Sequence, residues 1–400
     1  MKVLWVTTFP PRRCGIGDYA ADLADALTKT EDLHLRVLTY RDGLSTGVTR
    51  TNGFEVSRAL GGTVSARGLK SEIRTFEPDI VHLQSASFLH PPGVNGSLAD
   101  SCEVPLVTTV HDTPSSWRVF HVIPGLRKIY KKTSCFLVHS RAVARTMSIF
   151  HGIDEGKVVE IAHGVDLDRY SPRSPRGEVL GRYGLEGQRI ILFFGFVRPG
   201  KGLETLLEAW KKVESSFADA ILVVAGGVPT EAMRYHLLLK SEARYPARIR
   251  RLTSQLGLSN RVVFTGYVPG LLVPGLLAAA EIVVLPYEGG VSQSGPLHKA
   301  LASGCAIVAT NVPGFQALLD DGNCGVLVPP QNPDALAEAI RTLLEDRVKA
   351  RALGRQARET AENSLGWSTI AARTFGIYHS LQMTESRSRG EAVPHTRVEA

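Results

Sequence analysis

Short apolar runs separated by helix-like segments recur along the whole chain, and this alternation limits the possible folds more than any other feature. The first series is Val3–Thr7, Leu35–Thr39, Ile80–Leu83, Leu106–Val110, Phe136–Val138 and Val158–Ile161. A second series follows: Ile190–Phe194, Ala220–Ala225, Val262–Phe264, Ile282–Leu285, Ala306–Ala309 and Val326–Val328. Alternation of such strands with helices is the pattern of a doubly wound parallel sheet. A chain of 400 residues also exceeds what one hydrophobic core usually supports. The expected class is therefore α/β, with two Rossmann-like doubly wound parallel-sheet domains facing across a cleft. Between the two series, after His163-Gly164-Val165-Asp166, the stretch DLDRYSPRSPRGEVLGRYGL reads as a linker, which ends the first domain near residue 168.

Composition narrows the class. With 44% hydrophobic and 21% charged residues the chain reads as a soluble globular protein. No apolar run reaches the roughly 18 residues that span a bilayer, and Met1-Lys2-Val3 enters the first strand with no signal-peptide pattern, so a cytoplasmic protein is expected. Five scattered cysteines, Cys14, Cys102, Cys135, Cys305 and Cys324, have no metal-ligand spacing and predict reduced thiols. The net charge of +7 is uneven. Between Thr113 and Ile153 there is no Asp or Glu, whereas Arg118, Arg127, Lys128, Lys131, Lys132, Arg141 and Arg145 all lie there. Such a bias steers an anionic partner: lipid headgroup, nucleotide or nucleic acid. The segment Ser116–Lys132 mixes these cations with aromatic and aliphatic side chains. It reads either as a membrane-interface surface or as a helix packing its apolar side on the sheet.

Candidate chemistry lies in the loops that follow strands, which line the ligand crevice of such sheets. The stretch LPYEGGVSQSGPLHKALASGCAIVATNVPG, Leu285–Gly314, is a strand end, a polar glycine-containing loop, a helix over Pro296–Ser303 and a second strand. Its helix start suits an anion. The segment FGFVRPGKG, Phe194–Gly202, places Arg198 and Lys201 among glycines before a helix, an arrangement suited to a diphosphate. TTFPPRRCGIG reads as a long loop before a helix over Asp18–Leu27, and its Gly15, Gly17 and Ala20 match G-x-G-x-x-A in form. Seven residues separate that pattern from the strand, so a sugar or phosphate is the better guest than a dinucleotide. Polar residues end three strands: His82 with Gln84, His111 with Asp112, and His139 with Ser140.

Together TFPPRRCGIGDY, VTTVHD, IAHGVDLDRYSP, FFGFVRPGKGLETLLEA and SQSGPLHKALASGCAIVATNVPG resemble the retaining nucleotide-sugar glycosyltransferases of the GT-B fold, glycosyltransferase group 1 or family 4-like. The resemblance runs from Val3 to about Leu381. It implies sugar transfer from a nucleotide diphosphate sugar to a lipid, saccharide or small-molecule acceptor, with retention at the anomeric carbon, no cofactor and no metal. By position, His111, Arg198 and Lys201 would be the catalytic set. Gly15, Gly17, Glu288, Ser292, Gln293, Ser294, Gly295 and Lys299 would meet the donor, and Gln84, Asp112 and His163 would lie on the acceptor side. It also implies that the last helix returns to the first domain. The expected domains are then 1–168 plus 366–382 on the acceptor side and 169–365 on the nucleotide side, with residues 383–400 a disordered tail. A peripheral contact with anionic membrane at the cytoplasmic face would involve the Arg118–Arg145 region, and nucleic acid is not an expected partner.

One departure stands out. Many members carry two glutamates separated by seven residues, and aligning on Ala302-Ser303-Gly304 puts Val291 and Lys299 in their places. A carboxylate accepts hydrogen bonds from ribose hydroxyls, whereas an ammonium only donates. A subgroup with a QSG loop, which Gln293-Ser294-Gly295 resembles, favours an active enzyme. The alternatives are an inactive nucleotide-sugar-binding relative and a nucleotide-sugar epimerase of the same fold. Because no carboxylate base falls in the matching stretches, the donor's own phosphate is expected to take the acceptor's proton.

Overall fold

The computed structural model describes every residue except 13, 30–32, 42–46, 62–64, 87–88, 91–92, 113–122, 124, 228–238, 290–293, 320–322 and 390–400. The chain divides into two compact units, Met1–Ala162 with Trp367–Ala400, and His163–Gly366. The expected boundary near residue 168 therefore moves to 162, because the residues after His163 bond within the second unit. Val165 bridges to Gly366 and its amide donates to Leu365 O.

Unit 1 contains strands β1 (Lys2–Val6), β2 (His34–Tyr40), β3 (Val48–Thr51), β4 (Phe54–Leu60), β5 (Ile80–Ser85), β6 (Leu106–Val110), β7 (Cys135–Val138) and β8 (Val158–Glu160). Its helices in the first stretch are α1 (Gly15–Leu27), α2 (Ser65–Phe76), α3 (Val94–Ser101), α4 (Leu126–Lys132) and α5 (Arg141–His151). Among the described residues they form one sheet of order β3-β4-β2-β1-β5-β6-β7-β8. Pairing is parallel except for the β3–β4 edge hairpin, a departure from the all-parallel expectation. Alternate residues of β1 enter opposite cores: Leu4 and Val6 join one cluster, Val3 and Trp5 the other. A strand buried on both faces needs an unbroken apolar run, which is what the sequence supplies.

Unit 2 runs α6 (Gly177–Tyr183), β9 (Arg189–Phe194), α7 (Leu203–Lys211), β10 (Ala220–Ala225), α8 (Leu239–Gln255), β11 (Val262–Gly266), α9 (Val273–Ala279) and β12 (Ala280–Leu285). It continues with α10 (Gly295–Ala302), β13 (Ala306–Thr310), α11 (Pro313–Leu319), β14 (Val326–Val328), α12 (Pro333–Glu345) and α13 (Arg347–Ser364). All its strands are parallel, in the order β11-β10-β9-β12-β13-β14. The last helix, α14 (Trp367–Arg389), belongs to unit 1 and packs Trp367, Ile370, Ala371 and Tyr378 into the core beside Trp5.

Four expectations are corrected. The linker contains α6, whose Val179 is buried. Pro246, expected from its missing amide to break the cationic helix read over Glu231–Leu256, does not end α8, because Tyr245 and Ile249 are buried beside it and Arg248 pairs with Glu204, contacts that offset the roughly 3 kcal/mol cost of a mid-helix proline. The expected tail is helical through Arg389, its Thr384 hydroxyl donating to Ser380 O; residues 390–400 lie outside the described set. Finally, α1 begins at Gly15, so Gly15 and Gly17 occupy its first turn rather than a loop. The five cysteines are free thiols. Among the described residues no helix is long and apolar enough to cross a membrane.

Packing between α13 and the turn after α10 yields a test. Replacing a helical glycine by alanine normally stabilises by about 1 kcal/mol. A β-carbon on Gly354, however, would lie 2.3 Å from the Gly304 carbonyl oxygen, while one on Gly376 in α14 would meet nothing within 4 Å. Gly354→Ala is expected to lower stability by about 1–3 kcal/mol and Gly376→Ala to raise it, measured as urea midpoints.

Candidate functional site

In doubly wound sheets, ligands bind outside the strand carboxyl ends where the strand order reverses. In unit 2 that reversal falls between β9 and β12, and the loops after those two strands are the glycine-rich stretches singled out by sequence. They are held together through backbone. A β-carbon on Gly202, at φ +68, would lie 1.7 Å from Pro286 O, and the Glu288 amide donates to Gly200 O at 3.1 Å. Only glycine tolerates that approach. The loop's lysine is thereby set over the next loop's tyrosine, with Lys201 Nζ 3.4 Å from the Tyr287 ring centroid. Burial pulls the Lys201 ammonium down to about 7, and Arg198 beside it acts in the same direction. Helix α7 starts at Gly202 with no side-chain cap, so the two cations precede a helix N-terminus of favourable dipole.

Ser294 caps α10, its Oγ accepting from Leu297 N at 3.4 Å, and the Tyr287 hydroxyl lies 3.3 Å from the same oxygen. His298 donates from Nδ1 to Ser294 O at 2.8 Å and stacks on His163, with ring centroids 4.8 Å apart. Lys299 lies 5.3 Å from the Tyr170 ring centroid. His163, expected on the acceptor side, is thus a residue of unit 2, because its ring packs on α10. Arg198, Lys201, Glu288, Ser294, Gly295 and Lys299 belong to the same unit, while Ser292 and Gln293 lie outside the described residues.

In unit 1 the order reverses between β1 and β5. Gln84 on β5 reaches His111 after β6, with Oε1 2.7 Å from His111 Nε2. His111 Nδ1 lies 3.4 Å from His139 Nε2, and His139 Nδ1 donates to Ile161 O at 2.9 Å. On the other side Gln84 Nε2 is 3.4 Å from His82 Nε2, which also lies 2.7 Å from Thr109 Oγ1. His82 Nδ1 bonds the Tyr378 hydroxyl, which accepts from Trp5 Nε1 at 3.1 Å. Burial pushes His82 down to about 3 and His139 to about 4, and holds His111 well below its ordinary range with His139 and His82 adding to the effect. These imidazoles are neutral at physiological pH. Tyr19 of α1 packs its ring on both His111 and His139. Gly17 sits against the Phe9 backbone, Gly15 has open space, and Asp112 is exposed.

Sequence reasoning missed Tyr378, Tyr287, Tyr170 and His298. Each acts through a tertiary contact that no local motif records. The basic segment resolves in part: α4 buries Leu126, Ile129 and Tyr130 in the unit 1 core and exposes Arg127, Lys128, Lys131 and Lys132. The packed-helix alternative therefore holds for Leu126–Lys132, while residues 116–122 lie outside the described set. Among the described residues, no group of three or more His, Cys, Asp and Glu side chains is placed to hold a metal ion.

Two doubly wound units, one with a paired cation loop at its switch point, define a class of two-domain α/β protein. Comparison with known proteins makes this specific. Residues 14–169 match the family described as Glycosyltransferase Family 4, and residues 188–346 match Glycosyl transferases group 1. A phosphatidyl-myo-inositol mannosyltransferase of Mycolicibacterium smegmatis is 25% identical over 82% of this chain and 77% of its own length. A GDP-mannose-dependent alpha-(1-6)-phosphatidylinositol monomannoside mannosyltransferase of Mycobacterium tuberculosis is 27% identical over 93% of this chain and 96% of its own. Among solved structures, a sucrose-phosphate synthase from Thermosynechococcus elongatus superposes with a TM-score of 0.79 at 20% identity, covering 96% of this chain and 100% of that one. The chain belongs to the GT-B glycosyltransferases and is an enzyme of that class.

The buried lysine sets a sign. The folded-state value of Lys201, about 7, lies below its ordinary 10.5, so the destabilising cost is full below pH 7 and fades as pH rises toward the unfolded value. Lys201→Met is expected to be more stable than the native chain at pH 6, by roughly 1–4 kcal/mol. The advantage should shrink steadily up to pH 10 in denaturant titrations.

Proposed function

We propose that the protein is a retaining, metal-independent glycosyltransferase that moves mannose from GDP-mannose to the head group of a membrane lipid. The placement of Arg198 and Lys201 at the unit 2 switch point, ahead of the uncapped start of α7, carries this reading. Charge grows on the diphosphate as the glycosidic bond breaks, and two fixed cations beside a helix dipole stabilise that charge. A bound diphosphate would hold Lys201 in its protonated form and offset the burial cost. The relatives named for GDP-mannose and phosphatidylinositol substrates support the choice of donor and acceptor. His111 is neutral with both ring nitrogens engaged inside unit 1, which disfavours it as general base and supports proton transfer to the donor's own phosphate.

Lys299 in place of the expected carboxylate favours a second reading, a nucleotide-sugar-binding relative without turnover. In the first reading Glu288 or backbone groups take the ribose hydroxyls instead. GDP-mannose, UDP-glucose and ADP-glucose should be compared for thermal stabilisation and for transfer to an inositol lipid, with the anomeric configuration of the product read by NMR. GDP-mannose is expected to stabilise the protein and to give product with the donor's configuration. Lys201→Ala should reduce kcat/KM by about 100- to 1,000-fold. Stabilisation without product on any acceptor supports the second reading, and no stabilisation by any nucleotide sugar rules out both.

We also propose that unit 1 contacts anionic membrane. On α5 the side chains Arg141, Arg145 and Ile149 form one exposed stripe at four-residue spacing, with exposed Phe150 beside it, and α4 exposes four further cations. Cations beside exposed apolar side chains suit a bilayer interface. Vesicles containing anionic lipid should retain the protein at low salt and release it in 1 M salt, roughly a 3 Å screening length. Lys128→Glu with Lys131→Glu and Lys132→Glu should abolish retention.

A further inference from the structure

The hydrogen-bonded series in unit 1 starts at a group that can only donate, the Trp5 indole N–H, and ends at one that can only accept, the Ile161 carbonyl. Between them lie Tyr378, His82, Gln84, His111 and His139, each touching the next. When every imidazole is neutral, one proton per link permits a single direction. His139 spends its proton on Ile161 O, so its Nε2 must accept, and the proton at that link comes from His111 Nδ1. The Nε2 atom of His111 is then a bare acceptor and needs a donor from Gln84. Gln84 meets this with its amide turned over, an exchange of O and N that leaves the side chain's shape unchanged. Its oxygen then faces the Nε2 proton of His82 at 3.4 Å, a proton shared with Thr109 Oγ1 at 2.7 Å, while His82 Nδ1 accepts from Tyr378. The opposite direction would set the bare Nδ1 of His139 against the Ile161 carbonyl or force an imidazolium there, which burial opposes.

We propose that Gln84 is a positioning residue for His111: donating one amide proton to His111 Nε2 and accepting from His82, it locks His111 as the neutral Nδ1–H tautomer with both nitrogens turned away from substrate. His111 would then meet a sugar through its ring edge and backbone carbonyl, with no nitrogen that titrates during the reaction. The functional part rests on the proposed transferase reading; the tautomer does not. The titratable groups packed around His111 are Tyr19 from α1, His82 from β5 and His139 after β7, with exposed Asp112 next in the chain.

The test uses full-length protein labelled with ¹⁵N-histidine. Long-range ¹⁵N–¹H correlation at pH 7 should show Nδ1–H at His111 and His139 and Nε2–H at His82, with all three neutral. Gln84→Glu replaces the amide by a group that only accepts. It should convert His111 to an imidazolium that titrates between pH 6 and 8 and give transfer activity a new inflection at the same pH, with KM for the donor unchanged. Gln84→Met, which removes donor and acceptor alike, should leave His111 as a mixture of tautomers and guard against misfolding of the charged variant. An Nε2–H tautomer at His111 in the native protein, or a Gln84→Glu variant whose His111 stays neutral throughout, would overturn the proposal. If the tautomers are as stated but no donor is used, only the transferase reading fails.

Discussion

The loops at the unit 2 switch point depend on backbone approaching backbone more closely than any side chain allows. Gly202 against the Pro286 carbonyl is one such contact, and Gly226 against the Gly195 carbonyl, where a β-carbon would also lie at 1.7 Å, is another. These contacts bring the carboxyl ends of β9, β10 and β12 together, and Lys201, half-buried there, lies over the Tyr287 ring. A lysine held this way is an unfavourable element of the fold, because burial and the neighbouring Arg198 both oppose its charge. The strain is local and electrostatic, and the surrounding core, with Ile190, Ile191, Leu192 and Phe193 all enclosed, is what sustains it.

Unit 1 solves a different problem. Its switch point holds three imidazoles that burial keeps neutral at physiological pH. Their bonds run sideways through the sheet, from β5 to β6 to the end of β7, and outward to α14 through Tyr378. A hydrogen-bonded network of this kind stiffens the strand ends without a formal charge on its imidazoles. Unit 2 therefore carries cations at its switch point, and unit 1 a set of hydrogen-bonded imidazoles.

Much of the fold could be read from the residues because buried parallel strands require unbroken apolar runs, and runs such as Ile282–Leu285 carry that signature. The edge strand Val48–Thr51 was invisible for the same reason: all four of its residues are exposed, and VTRT has neither apolar continuity nor alternation. Pro246 misled because local propensity was outweighed by the burial of Tyr245 and Ile249. The position of Arg198 and Lys201 just ahead of α7 was legible, since both lie in one short glycine-rich segment before a helix-forming run. Tyr378 was not, because its partners lie 296 and 373 residues upstream. The grouping of His163 with unit 2 was not legible, because it packs on His298, a contact between segments that no motif links.

The chain leaves unit 1 at Ala162, completes all of unit 2, and returns only at Trp367. During synthesis the later unit is therefore finished first, its two ends already joined by the Val165–Gly366 bridge, while the earlier one waits with Trp5 and His82 uncovered until α14 emerges from the ribosome. A nonsense codon near position 366 would release a polypeptide with one sound half and one open half, a natural substrate for chaperones and proteases. Loss of the final helix should therefore be as damaging in the cell as loss of the first strand.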